Sequence, residues 1–498
     1  MQARVVISGW GQVTQRKNAL PPYLDPVDMM ECAAREAGAH AGSGIWREVD
    51  GVLAVRPLSR NLPNAAQDVA ARLGLRPKFA RTSGIGGHTP QYLVNQAAGM
   101  LARGEAQAIL ICGAETYYPR SADATTGEMA LIQGIGADYQ EDDAVGSNAL
   151  EQRHGLLLPI HGFPLFEVAL WAQSGLGRDA WLERMGALWS GFSLAAAQHP
   201  NAWSREPLTP AEIVTPSATN RPIAWPYTKR MVSQVMADLG AAIILTTERE
   251  AAQLHGGAGR PVYFRGGGYA RDRQRFMIDK ADYTRSPALA AAAAKAQARA
   301  GLRAADIECF DLYSCFPCAV TLAQRELGIA PGDARPQTLT GGLAFFGGPG
   351  SNYALHGIAS IAEAIAAGRY RSGLATAPGW FMHKGAIGIY ADRPGNTDFA
   401  REAQEDQEQP DVGDPPVAAA DAAEGEGTID TYTVVYGRNR APQRGIVYGR
   451  TDAGQRFVAN TRDDAAVLEG FTGENRVGRR VRLAFDAARR LNRAELAD

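Results

Sequence analysis

The sequence predicts an α/β protein in which one layered unit is built twice and a small antiparallel β domain follows. Three observations carry this expectation. Uninterruptedly apolar strands such as residues 106–112 alternate with stretches of helical spacing, which argues for a sheet covered on both faces. A series of helix, strand, Gly-Gly turn, helix, x-Gly and strand runs through the first half and recurs in the second, element by element, with few residues identical. From Thr428 onward the apolar period becomes two, as in half-buried strands.

Residues 4–9 form a short apolar run closed by Gly9-Trp10-Gly11 and read as a buried strand; residues 26–39 take helical spacing from a proline start. Residues 49–55 return as a strand. Ser83-Gly84-Ile85-Gly86-Gly87-His88-Thr89-Pro90 breaks the pattern, and a helix over about 90–102 then ends at Arg103-Gly104. An insertion of about 120–230 is rich in Trp, Phe and Pro, with helical stretches around 164–174 and 180–197. Loops longer than about 15 residues are uncommon without a role, so it is expected to be a lid or specificity segment. The core resumes at 238–247, and the second half supplies a helix at 287–301, a strand at 307–312, a helix at 353–367 ended by Gly368 and a strand at 373–377. Residues 396–427 are acidic and nearly free of large apolar side chains, the composition of a mobile or loosely docked linker. Strands at 432–436, 445–450, 455–460 and 476–483, with Thr451-Asp452-Ala453-Gly454 as a hairpin turn, suit an OB-like barrel. The expected domains are therefore 1–250 with its insertion, 251–395, the linker 396–427, and the β domain 428–498.

A chain of 498 residues has room for two or three domains, and a net charge of -2 gives no electrostatic case for nucleic acid or an anionic membrane. The five cysteines, Cys32, Cys112, Cys309, Cys315 and Cys318, are odd in number and mostly sit in apolar runs, so a reducing cytoplasm is expected rather than a disulfide framework. Cys315-x-x-Cys318 has no second pair to complete a zinc site, and no metal is expected. No apolar run approaches the roughly 18 residues of a membrane span, and residues 1–10 read as a strand, not a signal peptide.

The candidate chemistry lies in Asp311-Leu312-Tyr313-Ser314-Cys315-Phe316-Pro317-Cys318, where a strand-like run ends in a thiol. About thirty residues on, Gly341-Gly342-Leu343-Ala344-Phe345-Phe346-Gly347-Gly348-Pro349-Gly350 opens a helix that carries His356. Thiols and imidazoles at strand ends and helix starts suit carbonyl and thioester chemistry, because a helix N-terminus offers N–H groups to a developing oxyanion or thiolate. The same residues also have plainer uses. Cys315 fits a buried core position, His88 a helix cap, His356 a satisfied core site, and Tyr313 and Asn352 turn hydrogen bonds.

Gly86-Gly87-His88-Thr89-Pro90-Gln91, Pro226-Tyr227-Thr228-Lys229, Asp311 to Pro317, and Gly347-Gly348-Pro349-Gly350-x-Asn352-Tyr353 together resemble the thiolase superfamily over about residues 1–395. Within it the chain is most similar to the group called thiolase-like protein type 1, which also carries a fused C-terminal β domain. The resemblance implies a duplicated thiolase fold, two βαβαβ-type halves layered α/β/α/β/α. Thiolases make or cleave the C–C bond of 3-ketoacyl-CoA through an acyl-cysteine. The family's nucleophilic position falls at about Gly87-His88, where there is no Cys, its Gly-His-Pro segment reads Gly347-Gly348-Pro349, and its Cys-x-Gly corresponds approximately to Ala375-Thr376-Ala377. Tyr313-Ser314-Cys315-Phe316 aligns with the His-Asp-Cys-Phe motif of the sterol-carrier-protein thiolases and keeps its Cys and Phe.

What the resemblance implies is action on CoA or acyl-CoA without the usual nucleophile, by acyl transfer or by a Claisen or retro-aldol step. Cys315, His88, His356, His383 and Tyr313 are the catalytic candidates; Gly86, Gly87, Gly347, Gly348 and Asn352 are candidates to hold the thioester, with Lys229 beside Arg230 for a CoA phosphate. Two other readings stay open. In one, the chain binds acyl-CoA without chemistry and its β domain recruits a partner. In the other, the fused domain acts in cis, as the OB-fold partner of thiolase-like retro-aldolases does in trans. Neither membrane nor nucleic acid is expected as a partner, and the chain is expected to be a monomer or homodimer.

Overall fold

The computed structural model describes residues 3–42, 44–119, 146–255, 260–408 and 411–497. The first half begins with β1 (Val5–Thr14) and α1 (Pro26–Ala41), which opens on a capping box: Asp25 accepts from Asp28 N–H while Asp28 accepts from Asp25 N–H. It continues through β2 (Val49–Ala54), α2 (Ala65–Arg72), β3 (Phe79–Thr82), α3 (Thr89–Ala102) and β4 (Ala108–Thr116). The insertion contributes α4 (Ala149–Arg153), α5 (Pro159–Ser174), α6 (Arg178–Gln198), α7 (Pro210–Val214), β5 (Pro222–Ala224) and β6 (Tyr227–Thr228). Its first part, residues 120–145, lies outside the described residues. After β7 (Asp238–Thr247) the order repeats as β8 (Val262–Arg271), α8 (Pro287–Ala300), β9 (Cys309–Asp311), α9 (Pro317–Leu327), α10 (Tyr353–Ala366), β10 (Ser372–Gly379) and β11 (Lys384–Ala391).

These strands run in the order β3-β2-β4-β7-β1-β8-β11-β10-β9. The two halves of this sheet are joined thinly. β1 pairs with β7 along almost its whole length but with β8 only at Val6↔Tyr263 and Ile7↔Val262. α3 and α10, both buried along nearly every residue, fill the space between the half-sheets: α3 meets β4, β7, β10 and β11, and α10 meets β1, β7 and β10. With α1 and α8 on the outer faces the layers are α/β/α/β/α, the duplicated architecture that the repeat predicts.

β8, which contains Gly266-Gly267-Gly268, is absent from the elements expected from the sequence. It is a strand whose glycines make room for a helix. A Cβ on Gly268 would stand 2.1 Å from the Ala292 carbonyl of the alanine-rich α8, and one on Gly9 of β1 would stand 2.0 Å from the Ala37 carbonyl of α1. The two halves thus repeat a packing device as well as an order of elements.

The acidic stretch differs from the expected mobile linker. Phe399–Glu408 forms α11, with Phe399 and Ala403 buried and Ala403 seated where Gly99 of α3 lacks a side chain. Asp406 takes Lys295 at 2.8 Å and Arg299 at 2.9 Å, both from α8, so the negative charge that reads as solvation is half of an ion-pair network. Beyond it, β12 (Gly425–Tyr436), β13 (Pro442–Thr451), β14 (Arg456–Asn460), β15 (Arg480–Asp486) and β16 (Leu491–Leu496) close on themselves in the order β12-β13-β14-β16-β15-β12. α12 (Ala465–Gly473) lies between the third and fourth strands, and β14 meets β16 in parallel, which closes the barrel. The insertion adds β5 and β6 to the barrel's β12, and one apolar core runs through Phe166 and Tyr227 of the insertion, Phe310 and Phe316 of the second half, and Tyr432, Val447 and Phe457 of the barrel.

Gly268→Ala is expected to lower the unfolding free energy by about 3 kcal/mol, since the clash is with helix backbone. Gly301→Ala, at a left-handed helix end with open space around it, should cost about 1 kcal/mol. Urea unfolding midpoints check both, and equal losses would contradict the packing account.

Candidate active site

The strand end is organised by Asp311, whose carboxylate is buried. One oxygen accepts from Leu339 N (2.9 Å), Thr340 N (3.1 Å) and the hydroxyls of Thr338 (3.1 Å) and Thr340 (3.0 Å); the other accepts from Tyr353 OH at 3.1 Å. Burial pushes this carboxyl up and the donors pull it back. The effect is to tie the glycine-rich segment and the first turn of α10 to the end of β9.

Beyond Asp311 the exposures alternate: Leu312 0 %, Tyr313 7 %, Ser314 0 %, Cys315 8 %. All four are buried, and Tyr313 and Cys315 keep what little exposure remains. Phe316 is stacked on Phe163 at 4.5 Å and on Tyr227 at 5.4 Å. Cys315 stands just before α9, and its carbonyl accepts from Ser233 OH at 3.1 Å. The helix start favours thiolate, but burial outweighs it and holds the thiol well above its ordinary range. Burial, with Cys315 as neighbour, likewise raises the Tyr313 hydroxyl. Both are neutral donors at physiological pH.

The first-half glycine loop lies against them. A Cβ on Gly87 would stand 2.5 Å from Tyr313 OH and 2.6 Å from Pro378 O, so only glycine lets Tyr313 lie on the start of α3. Gly86 N–H donates to Ser351 Oγ at 2.9 Å, joining the two glycine loops, whereas no described residue accepts from the half-buried Gly87 N–H. The His88 ring is pressed between Gly86 and Gly379 and stacked on Tyr269 at 5.8 Å, with Nδ1 unpartnered among the described residues. Burial, then the charge of Lys384, lowers His88, so its imidazole is neutral. His383 joins this group from the loop between β10 and β11, where Trp380 (φ 51) and Met382 (φ 62) are left-handed. Both of its ring nitrogens lack partners among the described residues, and burial followed by Lys280, Lys384 and His88 lowers it.

Other candidates fall elsewhere. His356 is not brought to this group: Nδ1 lies 2.8 Å from Gln12 Oε1, the ring packs on Phe346 at 4.9 Å, and burial with His199 nearby lowers it to about 3. Gly348 does not offer its N–H to an oxyanion, because that group donates to Gln234 O at 2.9 Å. Gly347 (φ +116) packs on Leu239, Ala237 and Trp203. Asn352 donates from Nδ2 to Gly113 O at 2.7 Å while its buried Oδ1 has no partner among the described residues, and Lys229 is exposed on a short turn over Lys229–Met231. Cys318 sits buried with its sulfur 3.4 Å from Phe163 O, and all five cysteines are free thiols.

Sequence reasoning missed Asp311 as organiser, although a carboxylate inside an apolar strand signals a buried acceptor. It also missed Glu115, which accepts from Leu58 N (2.8 Å) and Ser59 N (2.7 Å) beside Gly350 and is raised to about 7 by burial. Among the described residues there is no cluster fit to hold a metal ion and no helix long and apolar enough to cross a membrane. The arrangement can do one thing well. Tyr313 OH lies against Gly87, whose N–H has no acceptor among the described residues, and the neutral Cys315 thiol is two residues along the chain; donors of this kind can hold a carbonyl oxygen on which charge develops.

Residues 408–488 match the family described as thiolase-like protein type 1 additional C-terminal domain. Over 99 % of both chains, the fold is similar, with 30 % identity and a TM-score of 0.81, to a monomeric SCP2-thiolase like protein type 1 from Mycobacterium smegmatis. The Ltp2-ChsH2(DUF35) aldolase matches 79 % of this chain and 99 % of its own at 20 % identity and TM-score 0.62. Human mitochondrial 3-ketoacyl-CoA thiolase in complex with CoA matches 78 % of this chain and 98 % of its own at 17 % identity and TM-score 0.56. The last two likenesses are of fold. Among curated proteins nothing matches.

Because its pKa is raised, the Cys315 thiol should resist iodoacetamide at pH 8 while the exposed Cys32 is modified, and become reactive only in stronger alkali. Peptide mass spectrometry reads both rates. Modification of Cys315 ahead of Cys32 would show a thiolate and contradict its assignment as a donor.

Proposed function

The chain belongs to the SCP2-thiolase-like protein type 1 family, and from that premise we propose that it binds CoA thioesters and promotes C–C bond formation or cleavage of the Claisen or retro-aldol type, without an acyl-cysteine intermediate. The observation that carries this reading is the contact of Tyr313 OH with Gly87 just before α3, with the Cys315 thiol two residues along the chain. A thioester oxygen seated there would accept from Gly87 N–H and from one or both side chains, and the interaction would strengthen as the oxygen becomes an enolate. In the cleavage direction a base takes the β-hydroxyl proton, the Cα–Cβ electrons move into the thioester as enolate, a carbonyl product leaves, and the proton returns to Cα. His88, neutral and at the same loop, is the base of this proposal.

A neighbour named as an aldolase and another holding CoA are in keeping with this reading. The monomer described for the Mycobacterium smegmatis relative and the five free thiols support a cytoplasmic monomer. A second reading, binding of acyl-CoA without turnover, is favoured by the enclosure of His88 between Gly86 and Gly379.

Calorimetric titration with CoA, acetyl-CoA and 3-hydroxyacyl-CoA, alongside detection of released carbonyl product, separates the two. Turnover is expected to fall about 100-fold in Tyr313→Phe with KM little changed, the loss typical of one oxyanion donor. Binding without turnover across the panel moves the assignment to the second reading, and an acyl group trapped on Cys315 rejects the first.

A further inference from the structure

Residues 272–286, between β8 and α8, hold little regular structure yet carry several buried polar groups, and they are gripped from two sides. On the barrel side Arg456, only 1 % exposed, donates from Nε to Ile278 O (3.2 Å) and from Nη2 to Tyr283 OH (2.9 Å), while Nη1 pairs with Asp430. Tyr283 OH donates onward to Met277 O at 2.9 Å. Tyr448 OH reaches Glu151 Oε1 at 3.2 Å, the same oxygen that accepts from Ile278 N at 2.7 Å. On the other side Asp272 N donates to His383 O at 2.7 Å and Ser286 Oγ to Met382 O at 3.1 Å. Within the segment Lys280 Nζ donates to Gln274 O at 3.2 Å and lies 3.6 Å from Asp272 Oδ2.

We infer that Arg456 of the barrel is a positioning residue for the active site: through residues 272–286 it braces the loop of Trp380, Phe381, Met382 and His383 that closes over His88. This rests on the site proposed above. That loop contains two left-handed non-glycine residues, a strained shape that persists only when its surroundings enforce it. Its carbonyls at 382 and 383 are held by the braced segment. A guanidinium withdrawn from water is costly and is retained where it fixes geometry. The barrel face that bears Arg456, Tyr448 and Asn460 is that of its second and third strands, the face by which OB-folds take oligonucleotides, and here it is spent on the chain's own core.

The test is hydrogen exchange of the full chain followed by mass spectrometry, comparing Arg456→Met with Arg450→Met. Arg450 bonds the same Asp430 from the exposed surface and does not touch the segment. In Arg456→Met, amides of 272–286 and of 379–384 are expected to exchange at least 10-fold faster, and diethyl pyrocarbonate is expected to modify His383 faster; Arg450→Met should change neither. Tyr283→Phe, which removes one hydroxyl, should give the same pattern more weakly and serves if the arginine variant does not fold. Faster exchange at 272–286 with 379–384 unchanged, or equal effects from Arg450→Met, would overturn the inference. Exchange is read without catalysis, so absence of turnover would count against the proposed chemistry and leave this inference standing.

Discussion

A single buried carboxylate organises the strand end on which the proposed chemistry rests. Asp311 has no access to water to offset its charge, so it must collect donors, and it collects them from the segment before the second glycine loop and from Tyr353 at the start of α10. That requirement fixes the exit of β9, and two residues later Tyr313 lies against Gly87 of the first half's glycine loop. A duplicated scaffold brings the two loops together, as the bond from Gly86 N–H to Ser351 Oγ shows. Asp311 determines which side chains meet there.

The parts of the fold readable from sequence are those whose cause is local. α1 announces itself by a proline start and helical spacing, α3 and α10 by glycine turns before them and Gly104 or Gly368 after, and β10 by its apolar run. What escaped depended on distant partners. The glycines of β8 are explained only by the alanines of α8 lying on them, and the acids of α11 only by Lys295 and Arg299 more than a hundred residues away. The site shows the same division. Gly87, His88, Tyr313 and Cys315 stand out because each sits at a punctuated strand end or helix start, whereas His356 misled because its place in a helix says nothing about whether it faces Gln12 or the glycine loop. Gly348 misled similarly, since the acceptor of its N–H, Gln234, comes from the end of the insertion.

Neutrality of the side chains narrows the chemistry. Burial raises Cys315 and Tyr313 and lowers His88 and His383, so the proposed site holds donors and uncharged imidazoles instead of a thiolate–imidazolium pair. Such a set polarises a carbonyl better than it attacks one. The barrel, sharing its core with the insertion and the second half, belongs to this arrangement structurally and is no appended module.

In the proposed site Gly87 N–H, Tyr313 OH and Cys315 SH form one cradle for a thioester oxygen. A crystal structure with a non-cleavable acyl-CoA analogue that keeps the carbonyl tests it most directly. The account predicts that oxygen about 3 Å from Gly87 N and from at least one of the two side chains. A carbonyl bound away from Gly87, or bonded covalently to the sulfur of Cys315, would contradict it.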